Sequence, residues 1–284
     1  MRCKSFTVTA YSQPILNNNP IGIFDSGAGG LSVLREIARQ CPYESAVYVA
    51  DTAYCPYGSK PQAEIENRSM RIAQFLQKLG CKLIVVACNT ATAAAIKKLR
   101  AAFDMPFVGM EPAVKPASEH SKTKSIGVLA TTGTLQGQHY ATTSQRYASD
   151  VNICIQAGEG LVELVETNRA NSSEAEALLA KYLQPMLEQH IDQLVLGCTH
   201  YPFLRASIEK VLPEGIEVID PAPSVAKQCH RMLQENHLLA PEGSRPVYRF
   251  YSSGQGETLQ QMATEHVLPI NNQIQASFSA DAKF

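Results

Sequence analysis

Short apolar runs alternate with amphipathic stretches along most of this chain, and this pattern predicts strands that are followed by helices. The predicted strands cover residues 21–25, 46–50, 82–87, 107–110, 125–130, 151–155 and 193–196. The predicted helices include residues 31–39, 62–79 and 174–189, each with an apolar stripe at helical spacing. Because strands that alternate with helices are typical of a mostly parallel sheet covered on both faces, the chain is predicted to be an α/β protein.

Three segments of the first half return in the second half, in the same order and at nearly the same offset. The run IGIFDSGAGG at Ile21 matches IGVLATTGTL at Ile126, and GMEPAV matches VIDPAPSV. Between them, the apolar run that ends in Cys88 matches the run that ends in Cys198. Three matches in register favour two related α/β domains with mostly parallel sheets, which face each other across an active-site cleft.

The repeat also predicts the domain boundaries. Residues 1–20 precede the first strand and are predicted to be an N-terminal extension. Residues 21–112 and 224–284 are predicted to form the first domain, and residues 113–223 the second. The first domain is discontinuous in this interpretation, because the strand-like run VYRFYSS has no counterpart in the second half.

Two further details concern the last part of the chain. Ser224 has a side chain suited to capping a helix, so a helix is predicted to begin there. The residues from about position 271 onward are mostly polar, and poor order is expected for them.

Composition excludes several classes of protein. The chain has 284 residues, of which 45% are hydrophobic and 18% charged, as in an ordinary globular protein. The net charge of −1 gives no support to nucleic-acid binding. No apolar run approaches the roughly 18 residues that cross a bilayer, and the first residues lack the apolar core of a secretory signal. We therefore expect no membrane or nucleic-acid partner.

The cysteines narrow the interpretation further. Eight are scattered along the chain without a C-x-x-C pair, so we expect neither a zinc site nor a disulfide framework. The reducing cytoplasm is the expected compartment. Most of these thiols are expected to be inert and buried.

Two cysteines differ from the rest because each ends a repeated strand, in VVACNTAT and in VLGCTHYP. In open parallel sheets, ligands bind beyond the carboxyl ends of the strands. The polar residues that fall at such ends are Asp25, Ser26, Cys88, Asn89, Thr90, Cys198, Thr199 and His200. Two thiols on opposite sides of a cleft are what a racemase needs, if it removes a proton from one face and returns one to the other.

Each thiol has a candidate partner. His200 follows Cys198 by two positions and could exchange a proton with it, and Asp25 could play the matching role near Cys88. Both cysteines precede helices, whose first N–H groups favour a thiolate. The neighbouring hydroxyl and amide groups suit a substrate carboxylate and ammonium.

Other features have plain structural explanations. The DSGAGG segment lacks both the spacing of a dinucleotide loop and the Gly-Lys-Ser/Thr of a nucleotide triphosphate loop. Cys55 lies in a loop and is interpreted as incidental. Glu163 and Glu166 fall in a predicted helix start, where acidic residues are common, so residue chemistry alone leaves both out of the site.

The segments FDSGAGGLSVL, YVADTAYCPYG, VVACNTATA, VLGCTHYPFL and VIDPA resemble those of the glutamate racemases, within the aspartate/glutamate racemase superfamily. The resemblance implies a cofactor-independent isomerase that supplies D-glutamate for bacterial peptidoglycan. It implies that Cys88 and Cys198 are the acid/base pair, with Asp25 and His200 assisting. It also implies a glutamate site lined by Asp25, Ser26, Pro56, Tyr57, Gly58, Asn89, Thr90, Thr131, Thr199 and His200.

The same resemblance restores Glu166, because family members carry a glutamate after a valine-rich segment near the site, here EGLVELVE. Glu163 stands where many relatives have proline. The chain looks closer to the branch that has an N-terminal extension and responds to UDP-N-acetylmuramoyl-L-alanine, which the resemblance suggests as an activator. Family members are monomers or homodimers, and no metal is implied.

Two alternatives stay open. An aspartate racemase of the same superfamily would share the mechanism and differ in substrate. A thiol redox-sensing binding protein would need the Cα atoms of the two cysteines within about 7 Å, whereas a substrate between the thiols keeps them further apart.

Overall fold

The structure is a computed structural model that describes residues 18–111, 113–136 and 150–284. Most of the predicted N-terminal extension lies outside the described residues, as does Pro112 of the GMEPAV match. The strands are β1 (Ile21–Asp25), β2 (Ala46–Ala50), β3 (Leu83–Val86), β4 (Phe107–Gly109), β5 (Ser125–Ala130), β6 (Asn152–Ala157), β7 (Gln193–Gly197), β8 (Glu217–Ile219), β9 (Val247–Ser252) and β10 (Gln275–Ser279).

The helices of the described ranges are α1 (Leu31–Gln40), α2 (Gln62–Lys78), α3 (Asn89–Ala102), α4 (Val114–His120), α5 (Thr132–Gln136), α6 (Leu161–Glu166), α7 (Ser173–Leu187), α8 (Arg205–Val211), α9 (Ala222–Glu235) and α10 (Glu257–His266). The predicted strands, and the three helices given with bounds, agree with these to within two residues. None of the described helices is both long and apolar enough to cross a bilayer.

Two parallel sheets carry the fold. One has the strand order β10-β9-β2-β1-β3-β4, and the other has the order β6-β5-β7-β8. Every residue of β1, β2 and β3 is buried, as expected of central parallel strands that have helices on both faces. The predicted α/β class with two mainly parallel sheets is confirmed.

The internal repeat is visible in the topology. The order β2-β1-β3-β4 returns as β6-β5-β7-β8. The register returns with it, since Phe24 pairs with Val86 in the first sheet and Leu129 pairs with Leu196 in the second. These are the positions that the sequence matches align with one another. The two halves also share a core, because one buried apolar cluster contains Tyr48 of the first sheet and residues of the second.

The chain returns to the first sheet at its end, where β9 pairs with β2 and β10 pairs with β9. The boundaries at residues 112 and 223 stay a prediction. The expected poor order after position 271 is wrong, because Phe278 of β10 stacks on Phe250 at 4.7 Å and Phe284 is buried. The polar composition of this segment hid two aromatic anchors.

The predicted cap at Ser224 is also wrong. Helix α9 begins at Ala222, and Ser224 lies in its first turn. Asp220 accepts a hydrogen bond from the Ala222 N–H at 2.9 Å and so satisfies one of the free donors of this helix end. Pro221 precedes the first helical residue, and Pro223 fits the first turn because that turn needs no N–H donor there.

Candidate active site

The carboxyl ends of the two sheets meet, and hydrogen bonds join them, among them one to Asp25 and one to Glu166. Thr199, just after β7, donates its hydroxyl to Asp25 Oδ2 at 2.7 Å, although Asp25 ends β1 in the other sheet. Glu166, the last residue of α6, accepts from the Ala28 N–H at 2.7 Å. The residues that the sequence places at separate strand ends therefore form one cluster.

Cys88 follows β3 and caps the N-terminus of α3. Its Sγ accepts from the Ala91 N–H at 3.4 Å and lies 3.9 Å from Ser26 Oγ. Burial and the nearby Asp25 carboxylate raise the pKa of the Cys88 thiol to about 12. The helix N–H lowers this pKa, as the sequence suggests, but burial has the larger effect. The thiol form is therefore favoured at neutral pH in this arrangement.

Asp25 is fully buried and fully hydrogen-bonded. Its Oδ1 accepts from the Ser26 hydroxyl at 3.0 Å and from the Gly27 N–H at 2.9 Å, and Thr199 occupies Oδ2. Burial raises the pKa of this carboxyl, while the charge of His200 and these hydrogen bonds act in the opposite direction. Asp25 thus lies between the two cysteine segments, in contact with Ser26 beside Cys88 and with Thr199 beside Cys198.

Cys198 has a different environment, a histidine and a carboxylate in series. His200 Nδ1 lies 3.7 Å from Cys198 Sγ, and His200 Nε2 lies 2.6 Å from Glu166 Oε1. Burial lowers the pKa of His200, but contacts with Cys198, Cys55 and Glu166 outweigh it and hold that pKa well above its ordinary value. Burial raises the pKa of Glu166, but the contacts with His200 and with the Ala28 N–H outweigh burial and hold that pKa below its ordinary value. The pair therefore favours imidazolium and carboxylate.

The glycines of the DSGAGG turn explain how these groups approach so closely. A Cβ at Gly27 would lie 2.0 Å from Glu166 Oε1, and one at Gly29 would lie 2.3 Å from His200 Nδ1. Any side chain at these positions would displace the histidine or the carboxylate. The segment thus makes room for the second half of the molecule, which accounts for a glycine pattern that fits no nucleotide loop.

The remaining predicted residues fall into two groups. Ser26, Asn89 and Thr90 lie beside Cys88, and the buried Nδ2 of Asn89 has no hydrogen-bond partner among the described residues. Thr90 Oγ1 lies 2.9 Å from Thr131 Oγ1, across the interface between the halves. Asn89 therefore offers a free donor at a helix N-terminus, where an anionic group binds well.

The second group surrounds a cavity of about 360 Å³ between the halves. Pro56, Gly58 and Thr131 line it, together with Glu163, and neither Cys88 nor Cys198 does. Tyr57 differs from its neighbours, because its hydroxyl donates to Asp51 Oδ2 at 2.5 Å. Arg68 holds the same carboxylate through two hydrogen bonds. The Tyr57 hydroxyl is thus part of a buried structural network.

Residue chemistry alone missed two members of the cluster. Glu166 ends α6, whereas the sequence suggested a place at a helix start. The side chain of Cys55 lies against Glu166 and His200, so the interpretation of this thiol as incidental is wrong as regards its position. Both residues reach the site through contacts between distant segments, and only the family resemblance signalled Glu166.

Two buried cysteines at equivalent places in repeated α/β halves, each with proton-exchanging neighbours, define an enzyme built for proton transfer from either side of a cleft. The model of the Asp/Glu/hydantoin racemase family matches residues 21–229, and the chain belongs to this family. The resemblance to racemases, a class of isomerases, is confirmed.

Individual relatives agree. The chain is 47% identical over 252 residues to the glutamate racemase of Stutzerimonas stutzeri (strain A1501), which covers 88% of this chain and 93% of the relative. A glutamate racemase isoform from Bacillus anthracis superposes with a TM-score of 0.82 at 32% identity, covering 94% of this chain and 100% of its own. The Escherichia coli glutamate racemase, solved with L-glutamate and the activator UDP-MurNAc-Ala, superposes with a TM-score of 0.80 at 30% identity. The match covers 94% of this chain and 100% of the E. coli chain.

Proposed function

We propose that this chain is a cofactor-independent glutamate racemase that interconverts L- and D-glutamate and supplies D-glutamate for peptidoglycan. One observation carries the proposal. Cys88 and Cys198 follow equivalent strands of the two repeated sheets, both are buried, and the bond from Thr199 to Asp25 ties their segments together. The identity to glutamate racemases over most of the chain supports glutamate as the substrate.

In the proposed reaction, the Cys88 thiolate removes the α-proton of D-glutamate and becomes a thiol. The carbanion then takes a proton from the Cys198 thiol on the opposite face, which leaves L-glutamate and a Cys198 thiolate. The roles reverse for L-glutamate, and exchange with solvent restores the starting protonation state. A positioned acid or base of this kind contributes about 10²–10⁴ in rate.

The two thiolates are stabilised differently in this proposal. The protonated His200, held by Glu166, places a positive charge beside the negative charge that Cys198 acquires when it gives up its proton. Cys88 has Asp25 nearby, which disfavours its thiolate. The ammonium group of glutamate, placed beside Asp25, would offset that charge and let Cys88 lose its proton as substrate binds.

The carbanion needs hydrogen-bond donors that are in place before its charge develops. The unpaired Nδ2 of Asn89 and the hydroxyl of Thr90 are suited to that task, since both are buried at the end of β3. Pro56, Gly58 and Thr131 are proposed to line the entry for the substrate, because they border the cavity.

The direct test is turnover of purified, reduced protein with each enantiomer, followed by circular dichroism of the amino acid. Interconversion of L- and D-glutamate, with aspartate much slower, supports the proposal. Faster turnover of aspartate would instead make the chain an aspartate racemase. Absence of turnover, with one disulfide formed under mild oxidation, would favour the thiol redox alternative.

We further propose that UDP-N-acetylmuramoyl-L-alanine activates this enzyme. The resemblance of the sequence and the E. coli relative solved with that activator support the idea. Turnover measured with and without the compound tests it, and equal rates would contradict it. The cytoplasmic location and the monomer or homodimer state stay predictions.

A further inference from the structure

Three potential metal ligands meet beside Cys198, although they come from distant segments. They are the thiol of Cys55 in the loop after β2, the carboxylate of Glu166 at the end of α6, and the imidazole of His200 after β7. Their ligand atoms all lie within 4.8 Å of one another. Zinc sites are often recognised from ligands at short spacing in sequence, and that criterion could not find this cluster.

The ligand set has the chemistry of a zinc site with an open position. Thiolate, imidazole and carboxylate are the three donor types that Zn²⁺ binds, and sites with three protein ligands leave one position free. Metal binding displaces the protons of the Cys55 thiol and of the imidazole to solvent, and the resulting thiolate and carboxylate carry two negative charges that a divalent cation neutralises. The mixed donors disfavour Mg²⁺ and Ca²⁺, which take oxygen ligands.

The surroundings already hold these ligands in place. Glu166 Oε1 accepts from the Ala28 N–H at 2.7 Å, which fixes the carboxylate. His200 turns Nδ1 toward Cys198 and Nε2 toward Glu166, so Nε2 faces the cluster while the other nitrogen keeps a partner. A Cβ at Gly27 would lie 2.9 Å from Cys55 Sγ and 2.0 Å from Glu166 Oε1, so the glycine leaves the space that the ligands use.

Two of the three ligands of the cluster are partly exposed. Cys55 is half-buried, and the Glu166 side chain is 18% exposed, whereas His200 is 2% exposed. An ion would therefore meet the thiol and the carboxylate first and reach the imidazole by separating it from Glu166. This separation breaks the 2.6 Å contact between His200 Nε2 and Glu166 Oε1.

We propose that Cys55, Glu166 and His200 form an inhibitory site for Zn²⁺ or a similar thiophilic divalent cation. A metal bound to these three side chains draws His200 and Glu166 out of their arrangement beside Cys198, so turnover stops while the ion is bound. Only the effect on turnover depends on the proposed racemase function, because metal binding can be measured without substrate.

The binding test uses Co²⁺ as a spectroscopic probe with the full chain in reduced form. The wild type is expected to bind one Co²⁺ with a sulfur-to-cobalt charge-transfer band. Cys55→Ser should lose this band and should bind Co²⁺ about 100-fold more weakly, because even changes to residues behind the ligands weaken metal binding by up to about that factor. Cys154→Ser is the matched control, since it removes a half-buried thiol outside the cluster, and its band should be unchanged.

The turnover test adds Zn²⁺ to the same variants, each compared with its own metal-free rate. Inhibition of the wild type and Cys154→Ser, with about 100-fold weaker inhibition of Cys55→Ser, supports the proposal. Glu166→Gln should also weaken Co²⁺ binding, which keeps the idea testable if Cys55→Ser folds poorly. A charge-transfer band that persists in Cys55→Ser, or no band in the wild type, would overturn the site even if racemisation is found.

Discussion

The two cysteine regions occupy matching places in a repeated fold, yet their surroundings differ in charge. Cys88 has a helix N–H, the Ser26 hydroxyl and a buried carboxylate nearby, and its pKa is raised to about 12. Cys198 faces His200, whose pKa is held well above its usual value. The repeat thus explains where the thiols lie, whereas the charged groups beside the thiols differ between the two halves.

The groups beside each thiol are also held by residues of the other half. Asp25, beside Cys88, is held by Thr199 of the second half, and Glu166, behind His200, is held by the Ala28 N–H of the first. Each thiol therefore has partners that the other half positions. In the proposed mechanism the protonation of either thiol depends on how closely the halves approach.

Removal of either thiol should have the largest effect. Cys88→Ala and Cys198→Ala are each expected to lower racemisation by about 10⁴-fold or more, because a two-base reaction fails when either face lacks its acid or base. Turnover of both enantiomers measures the loss, and far-ultraviolet circular dichroism checks the fold. Cys154→Ala is the matched control. Normal racemisation by either active-site variant would refute the two-base assignment.

The partners should separate the two regions by direction of turnover. His200→Asn removes support for the Cys198 thiolate, so kcat for L-glutamate should fall by about 10²-fold and that for D-glutamate less. Asp25→Asn removes the acceptor proposed for the substrate ammonium together with the charge that disfavours the Cys88 thiolate, so it should lower both directions without this bias. Because the enantiomers are equal in energy, kcat/KM must remain equal in both directions, which provides an internal check on the data. Equal losses of kcat in both directions for His200→Asn would contradict the asymmetry.

Sequence patterns were sufficient for the parts of the site that local structure determines. Asp25, Cys88 and Cys198 were found because each follows an apolar strand, and parallel strands bring their carboxyl ends to one edge. The repeat predicted the related sheets for the same reason. The register of Phe24 with Val86, and of Leu129 with Leu196, follows those matches.

Contacts between distant segments could not be predicted from sequence patterns. Glu166 is 138 residues from Ala28 along the chain, and no periodicity links it to the DSGAGG turn. No local sequence pattern marked Cys55 as a site residue, because its partners Glu166 and His200 lie on other elements. The hydroxyl of Tyr57 donates to Asp51, a contact that a motif cannot reveal, and the place of Tyr57 in the substrate site stays a prediction.

Loss of the carboxylate behind His200 should have a moderate effect. Glu166→Gln removes the negative partner that raises the His200 pKa, so that pKa should fall toward its ordinary value of about 6.5. Turnover at pH 8 should drop by about tenfold, equivalent to ~1.4 kcal/mol in barrier. NMR titration of the histidine gives the pKa directly. A midpoint that stays where it is in the wild type would contradict the role of Glu166.

The smallest effect concerns the hydroxyls that join the halves outside the thiol cluster. Thr131→Val removes the bonds to Thr90 and Thr134, both at 2.9 Å, and should lower the free energy of unfolding by about 1 kcal/mol. Urea denaturation measures this change. Thr132→Val is the matched control, since within the described residues its hydroxyl makes only a 3.5 Å contact, with Glu159. Equal stability of the two variants would show that the threonine bridge contributes nothing.

The central claim is that Cys88 and Cys198 serve opposite faces of one substrate. The most direct test incubates the wild type with a single enantiomer of glutamate in D₂O and stops the reaction early. The two-base mechanism predicts deuterium at the α-carbon of the product enantiomer and almost none in the remaining substrate, whichever enantiomer is used. Equal deuterium in both enantiomers from the first turnovers would mean that one base serves both faces, and would contradict it.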